Sequence, residues 1–400
     1  MTERRYPAPV TATRTSCLRL GLAFGTGLVA CGGDLPVAER IASTRVLALR
    51  SEVIGPLMPD DPELGPRCEA LPFERVRLTP FVVTPTGPLD LAGPDFDPVW
   101  IACNLGPGQG LFACLKSELP LELAAIPACP VPSFADLDPA SMALPEPPSP
   151  CVLPADDSDD GVQDFTVPLA SALLIGGDVE ITMISQPSRS AGAPDTAACA
   201  RALLAGDSEL PNDCLYAVQR VSVGPIERLL ALAADFGVML PPELGEPPPP
   251  DQIPDGDRNP RILDFSVVRV GPDGKGVDLG PQPRGAVIKA ELGDTLKIST
   301  NIPEGDLQDF EVPINGGAGG SETQTETLDG AWFRSWGDLL ANSSDDIMSI
   351  DDWTLVPGNQ DEQETPPDGR ATLFYVVRDS RLGVDWWWIS VEVPPSSPAP

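Results

Sequence analysis

Leu373-Phe374-Tyr375-Val376-Val377 is the run on which the fold turns. Five consecutive aromatic and aliphatic residues read as a strand covered on both sides and therefore lying mid-sheet. Just beyond, Trp386-Trp387-Trp388 leads into Ile389, Val391 and Val393 of what should be the final strand. The period-two geometry of a strand puts Trp387 with the aliphatic core face and sends Trp386 and Trp388 to the other side with Ser390 and Glu392. Other runs alternate instead, as a strand with one buried face does. Val76 and Leu78 alternate with Arg75 and Arg77, and Val179, Ile181 and Met183 with Glu180 and Thr182; Leu296 and Ile298 are flanked by Thr295, Lys297 and Ser299.

Helical patterning is confined mainly to residues 199–204 and 226–240, both rich in alanine and leucine. With no regular alternation of strand and helix, a parallel α/β sheet is disfavoured. The expectation is a mainly β chain of two β-sandwich domains, immunoglobulin-like or related, with long Pro/Gly-rich loops and a few short helices. Proline (49) and glycine (37) supply those loops. A boundary falls where Pro247, Pro248, Pro249 and Pro250 precede Asp251, Asp255 and Asp257, because such a segment is stiff and solvated. The first domain then covers residues 40–240 with a Pro-rich insertion near 127–161, the linker 241–258, and the second domain 259–396.

The formal charge is −33, from 26 basic and 59 acidic residues. Such a surface repels phosphate backbones, so nucleic-acid binding is excluded as a working idea. The chain has no histidine, which removes the commonest general base near neutral pH and the commonest zinc ligand. None of its lysines (Lys116, Lys275, Lys289, Lys297) follows a serine by three positions, and neither a G-x-S-x-G nor a phosphate-loop motif occurs. The chain is therefore not expected to be an enzyme. An extracellular hydrolase working with two carboxylates stays open as an alternative, because acids are abundant.

Residues 1–19 are basic, and residues 20–30 form an apolar stretch that ends at Cys31. That length suits a signal segment and is too short for a membrane-spanning helix, which needs about 20 residues. Leu28-Val29-Ala30-Cys31 resembles the lipobox of bacterial lipoproteins. The resemblance implies that residues 1–30 are a signal peptide, that Cys31 is lipidated, and that residues 31–39 tether the fold to a membrane. Gly32 in place of aspartate implies, by analogy with enteric sorting, the outer membrane.

Residues of the C-terminal region also resemble uncharacterised envelope lipoproteins of myxobacteria. They are Trp332-Phe333, Trp353 and Val376 through Trp386, with Asn259-Pro260 and, earlier, Trp100-Ile101-Ala102-Cys103. This resemblance implies an envelope location and paired β domains and carries no activity. Partners would be the membrane, through the anchor, and an envelope protein or polysaccharide.

Nine cysteines suit an oxidising compartment. Cys199 and Cys214 flank a short helix and a turn, Cys103 with Cys114 and Cys129 with Cys151 are the local choices, and Cys68 is left single. Spacing alone leaves the pairing open. No cofactor is required, and without C-x-x-C or histidine no zinc site is expected. Calcium is the remaining candidate. Asp156-Asp157-Ser158-Asp159-Asp160-Gly161 resembles the opening of a calcium loop but carries Val167 at its twelfth position, so a solvated acidic turn is favoured. Asp255 and Asp257 of the linker are the alternative cation ligands. Trp386 and Trp388 are a candidate ligand face for sugar rings or a partner protein. Packing under the loop with Trp332 and Trp336, or against the first domain, is the favoured reading of the pair.

Overall fold

The computed structural model describes residues 38–58, 60, 64–92, 96–110, 113–116, 122–133, 146–155, 161–186, 195–205, 214–235, 249, 252–313, 321–344, 347–358 and 362–394. Cys31 and the acidic turn at Asp156 to Asp160 lie outside them.

Among the described residues, eight strands precede the linker. They are β1 (Arg45–Gly55), β2 (Arg75–Thr84), β3 (Gly87–Pro88), β4 (Val99–Leu105), β5 (Cys151–Val152), β6 (Gln163–Thr166), β7 (Asp178–Ser185) and β8 (Leu215–Ser222). Short helices intervene: α1 (Ala113–Lys116), α2 (Ser171–Leu174), α3 (Thr196–Ala205) and α4 (Ile226–Asp235). One sheet runs β1-β2-β3 with β6 also on β2, and the other runs β5-β4-β7-β8, all antiparallel. Val76, Leu78, Trp100, Val179, Ile181 and Met183 close the core between them.

After the linker come β9 (Asp264–Val270), β10 (Gly276–Gln282), β11 (Ala286–Lys289), β12 (Thr295–Asn301), β13 (Asp309–Pro313) and β14 (Ser321–Thr325). These are followed by β15 (Leu328–Arg334), β16 (Asp338–Leu339), β17 (Ser343–Ser344), β18 (Ile350–Thr354), β19 (Arg370–Asp379) and β20 (Val384–Glu392). Two five-stranded sheets, β10-β9-β12-β18-β16 and β11-β20-β19-β15-β17, enclose a core of Phe265, Trp332, Trp336, Trp353, Tyr375 and Trp387. Strand β19 is central in its sheet, and seven of its ten residues from Ala371 to Val377 are buried in succession. That is the double coverage expected of an unbroken apolar run. The fold is mainly β, and each half is built as a sandwich.

Aromatic bulk needs room, and Gly330 on β15 provides it: a side-chain carbon there would collide with the Tyr375 hydroxyl. Three indole N–H groups in this core, those of Trp332, Trp336 and Trp353, find acceptors, as most buried polar atoms do, while the buried Trp387 Nε1 has none among the described residues. Trp332 Nε1 donates to Ser349 Oγ at 2.8 Å and Trp353 Nε1 to the Trp336 carbonyl at 2.9 Å.

Two local expectations need correction. The alternating run of β7 was expected to bury one face, yet Glu180 and Thr182 are 0% exposed. Strand β7 lies between β4 and β8, and α3 with its neighbouring cysteines covers its second face, where Ile101, Cys103, Cys114, Ile184 and Cys199 form a separate cluster. Glu180 is kept polar there by the Cys114 N–H (3.1 Å) and by Arg220 Nη2 (3.4 Å). The end of the linker, expected to be solvated, is instead buried: Asp257 is 1%, Arg258 5% and Asn259 2% exposed.

Ala38–Pro400 form one compact unit. The outer face of β1 and β2 packs on the outer face of β19 and β20 through Ile41, Leu47, Phe81, Phe374, Val376 and Trp386. Polar contacts frame this seam. Asp385, 4% exposed, receives Arg50 Nη1 from one side at 3.3 Å and Arg284 Nη2 from the other at 3.0 Å. Asn259 Nδ2 donates to the Ser51 carbonyl at 2.8 Å while its Oδ1 accepts the Val384 N–H at 2.8 Å.

Candidate functional site

The segment that enters the second sandwich is held as a short antiparallel pairing. Arg258 bridges Arg67, the Cys68 N–H donates to the Asp257 carbonyl at 2.8 Å, and the Asn259 N–H donates to the Pro66 carbonyl at 2.9 Å. Backbone hydrogen bonds therefore fix where the Asp257 side chain starts. Glu326 precedes β15, and the Glu326 and Gln308 backbones lock together, each N–H meeting the other residue at 3.0 Å: Glu326 N to Gln308 O, and Gln308 N to Glu326 Oε2. Asp379 ends β19. Its Oδ1 accepts the N–H groups of Arg381 and Gly383, both at 2.8 Å, which holds the turn into β20.

These three elements bring Asp257, Glu326 and Asp379 together with one oxygen from each within 4.8 Å of the others. All three are buried, at 1%, 3% and 9% exposure. Arg381 leans in from the turn. Its guanidinium lies 3.2 Å from Glu326 Oε1, 3.0 Å from Glu69 Oε2 and 3.8 Å from Asp257 Oδ1. Arg381 is thus shared among the carboxylates of Glu69, Asp257 and Glu326.

The electrostatics follow from burial. Asp257 is pushed well above the usual carboxylate range, first by loss of water and then by the negative charge of Asp379. Asp379 is raised by burial and then by Glu326. Burial also raises Glu69, outweighing the opposing pull of Arg381. The Cys68 thiol is 3% exposed and pushed up by burial and by Asp257, to whose Oδ2 its Sγ–H donates at 3.1 Å. A thiol held protonated in this way is a hydrogen-bond donor and a poor nucleophile.

One oxygen stands apart. Asp379 Oδ2 is sealed from solvent and has no hydrogen-bond partner among the described residues. It lies against Gly383, where a side-chain carbon would collide with it and come within 2.9 Å of the Arg258 carbonyl oxygen.

The residues singled out in sequence fall as follows. Asp257 enters the cluster, but Asp255 does not join it: its side chain is 68% exposed and lies 3.9 Å from Arg228. The tryptophans pack against the first domain, the favoured of the two readings, and so do not form an open ligand face. Trp386 is 5% exposed, stacked on Phe81 with centroids 5.0 Å apart, and Arg50 lies over it at 4.9 Å. Trp388 is half-buried, with Phe81 at 5.8 Å and Arg284 at 5.9 Å. The pair anchors the first sandwich, and does not offer two open rings.

Cys103–Cys114, Cys129–Cys151 and Cys199–Cys214 form disulfides, with Cα atoms 5.8, 4.8 and 5.6 Å apart, and Cys68 is a free thiol. Sequence reasoning missed Glu326 and Asp379 as partners of Asp257. Asp379 and Arg381 stood in the stretch from Val376 to Trp386 quoted for its family resemblance, but Glu326 carried no local signal.

An open apolar hollow of about 440 Å³ lies on the first sandwich, lined by Leu123, Ile126, Val152, Ala197 and Arg201 among others. No described helix is long and apolar enough to cross a membrane.

No family model and no curated protein matches this chain. A solved structure, dimeric latent PorU from Porphyromonas gingivalis, aligns over 90% of this chain with 11% identity and a TM-score of 0.18. The chain spans about 25% of the length of that structure, and a likeness at this level carries no argument.

Proposed function

We propose that this chain is a lipid-anchored protein of the bacterial cell envelope, directed to the outer membrane, with a non-catalytic binding or structural role. The observation that carries the reading is the set of three disulfides, each closing a local loop of the first sandwich. Disulfides persist in oxidising compartments, which an exported chain reaches and a cytosolic one does not. The lipobox-like Leu28-Val29-Ala30-Cys31 supplies a route there and an anchor on arrival. With each buried methylene contributing about 0.8 kcal/mol, two or three acyl chains on Cys31 hold a protein at a bilayer where one would not.

Two features of the folded part support a binding or structural role. The seam between the sandwiches is dry and framed by ion pairs, which suits a rigid body held at a fixed geometry on a tether. The convergent carboxylates that a hydrolase would use are closed off at 1% to 9% exposure, out of reach of a polymer substrate. Intact mass spectrometry of the protein from its native host tests the reading. The expected mass is that of a chain beginning at Cys31 plus acyl groups. A chain that retains Met1 and carries no lipid overturns it.

A further inference from the structure

We propose that Asp257, Glu326 and Asp379 form a binding site for a hard divalent cation of the calcium class, which ties the entry segment of the second sandwich to its β19–β20 turn. Two independent observations carry this. Three carboxylate oxygens from segments far apart in sequence meet within 4.8 Å. Separately, Asp379 Oδ2 is an ionisable oxygen on a residue 9% exposed, sealed from water and given no donor among the described residues.

Calcium takes oxygen ligands at about 2.3–2.6 Å, so oxygens on opposite sides of one ion stand about 5 Å apart. Three oxygens lying within 4.8 Å of one another are close enough to share such an ion. Charge argues the same way. Arg381 makes its closest contacts with Glu69 and Glu326, and it stands 3.8 Å from Asp257. Among the described residues, neither Asp257 nor Asp379 has a cationic partner within hydrogen-bond distance. Buried anions without a partner cost several kcal/mol and are stabilised by a metal or a proton.

The other carboxylate oxygens are already oriented by donors, which is how ligands are held for an ion. Asp257 Oδ1 accepts the Arg258 N–H at 2.9 Å, Glu326 Oε2 accepts the Gln308 N–H, and Asp379 Oδ1 accepts two N–H groups of its own turn. The Arg258 carbonyl, beside Asp379 Oδ2, is a neutral oxygen of the kind calcium also uses. Cys68 is the soft donor nearby, and it spends its proton on Asp257. Hard-cation selectivity therefore means that the thiol stays out of the coordination sphere.

The test uses the full chain, stripped with chelator and titrated with calcium chloride by calorimetry, with native mass spectrometry to count ions. The expected result is one calcium per chain and a higher melting temperature. Asp379→Asn should weaken binding by roughly tenfold or more, since calcium affinity follows ligand charge. Asp255→Asn, in the exposed carboxylate nearby, should leave it unchanged. Hydrogen exchange of the unaltered chain keeps the idea testable if Asp379→Asn does not fold. Calcium should then slow exchange at the N–H groups of Arg258, Gln308, Arg381 and Gly383, which donate to the proposed ligands. The proposal is overturned if no calcium is retained at millimolar concentration, or if binding survives Asp379→Asn intact. Zinc taken up in preference, with loss of the Cys68 thiol, overturns it too. So does stability that responds to pH and ignores calcium, since a shared proton would then fill the site.

Discussion

Asp351 on β18 illustrates how a single residue records its surroundings. It is 1% exposed; its Oδ1 accepts the N–H groups of Ala341 at 3.0 Å and Asp352 at 2.8 Å, and its Oδ2 has no partner. Burial pushes its carboxyl up from an ordinary value near 3.8 to about 6, against the lowering effect of those donors. The folded state thus holds this proton more tightly than the unfolded state does. Its contribution to stability is complete below about pH 4 and is lost as pH rises through about 6. Asp351→Asn keeps the acceptor and removes the charge. Its melting temperature should match the parent near pH 4 and exceed it near pH 7; parallel curves across that range would refute the buried-charge account.

Among the elements, β7 and α3 show how local pattern and neighbours divide the work. Val179, Ile181 and Met183 face the sandwich core as their spacing requires, while α3 turns the opposite face of β7 into a second buried surface. What keeps α3 there is the Cys199–Cys214 bridge, with Tyr216 Oη donating to the Cys199 carbonyl at 3.0 Å. The bridge spans 15 residues, for which the loss of chain entropy in the unfolded state corresponds to about 3 kcal/mol. Replacing both cysteines by alanine should lower the stability read from a urea melt by about that amount. Losses under about 1 kcal/mol would mean that α3 is held by packing such as that of its buried Ala200 and Leu204, without need of the bridge.

At the scale of the whole molecule, the seam decides whether the halves melt together. Phe81 and Trp386 stack within it, Arg378 Nη2 donates to the Leu47 carbonyl at 2.8 Å, and the Ile41 N–H donates to the Arg334 carbonyl at 2.8 Å. An apolar core bordered by satisfied polar groups couples its two sides, because opening it exposes both. Calorimetry should therefore give one transition for the folded part. Trp386→Ala should cost about 3–5 kcal/mol and split that transition, by emptying the contact that spans the seam. Two transitions in the unaltered chain would show the seam to be too weak for this role.

The amino-acid sequence by itself determined the β character, the central place of Leu373 to Val377, the short helices and the local pairing choices among cysteines. Each of these rests on periodicity or proximity along the chain, which a sequence displays directly. Only the tertiary structure decided what covers each second face. Trp386 and Trp388 lie on the side that period two assigns them, but whether that side meets sugar, water or Phe81 depends on residues some three hundred positions away. The carboxylate cluster is the extreme case. Asp257, Glu326 and Asp379 come from a linker end, a strand entry and a hairpin turn, and nothing in their local sequence encodes their meeting. Their charges converge because backbone pairing and sheet order bring those segments together, at a cost that only the surrounding packing can offset.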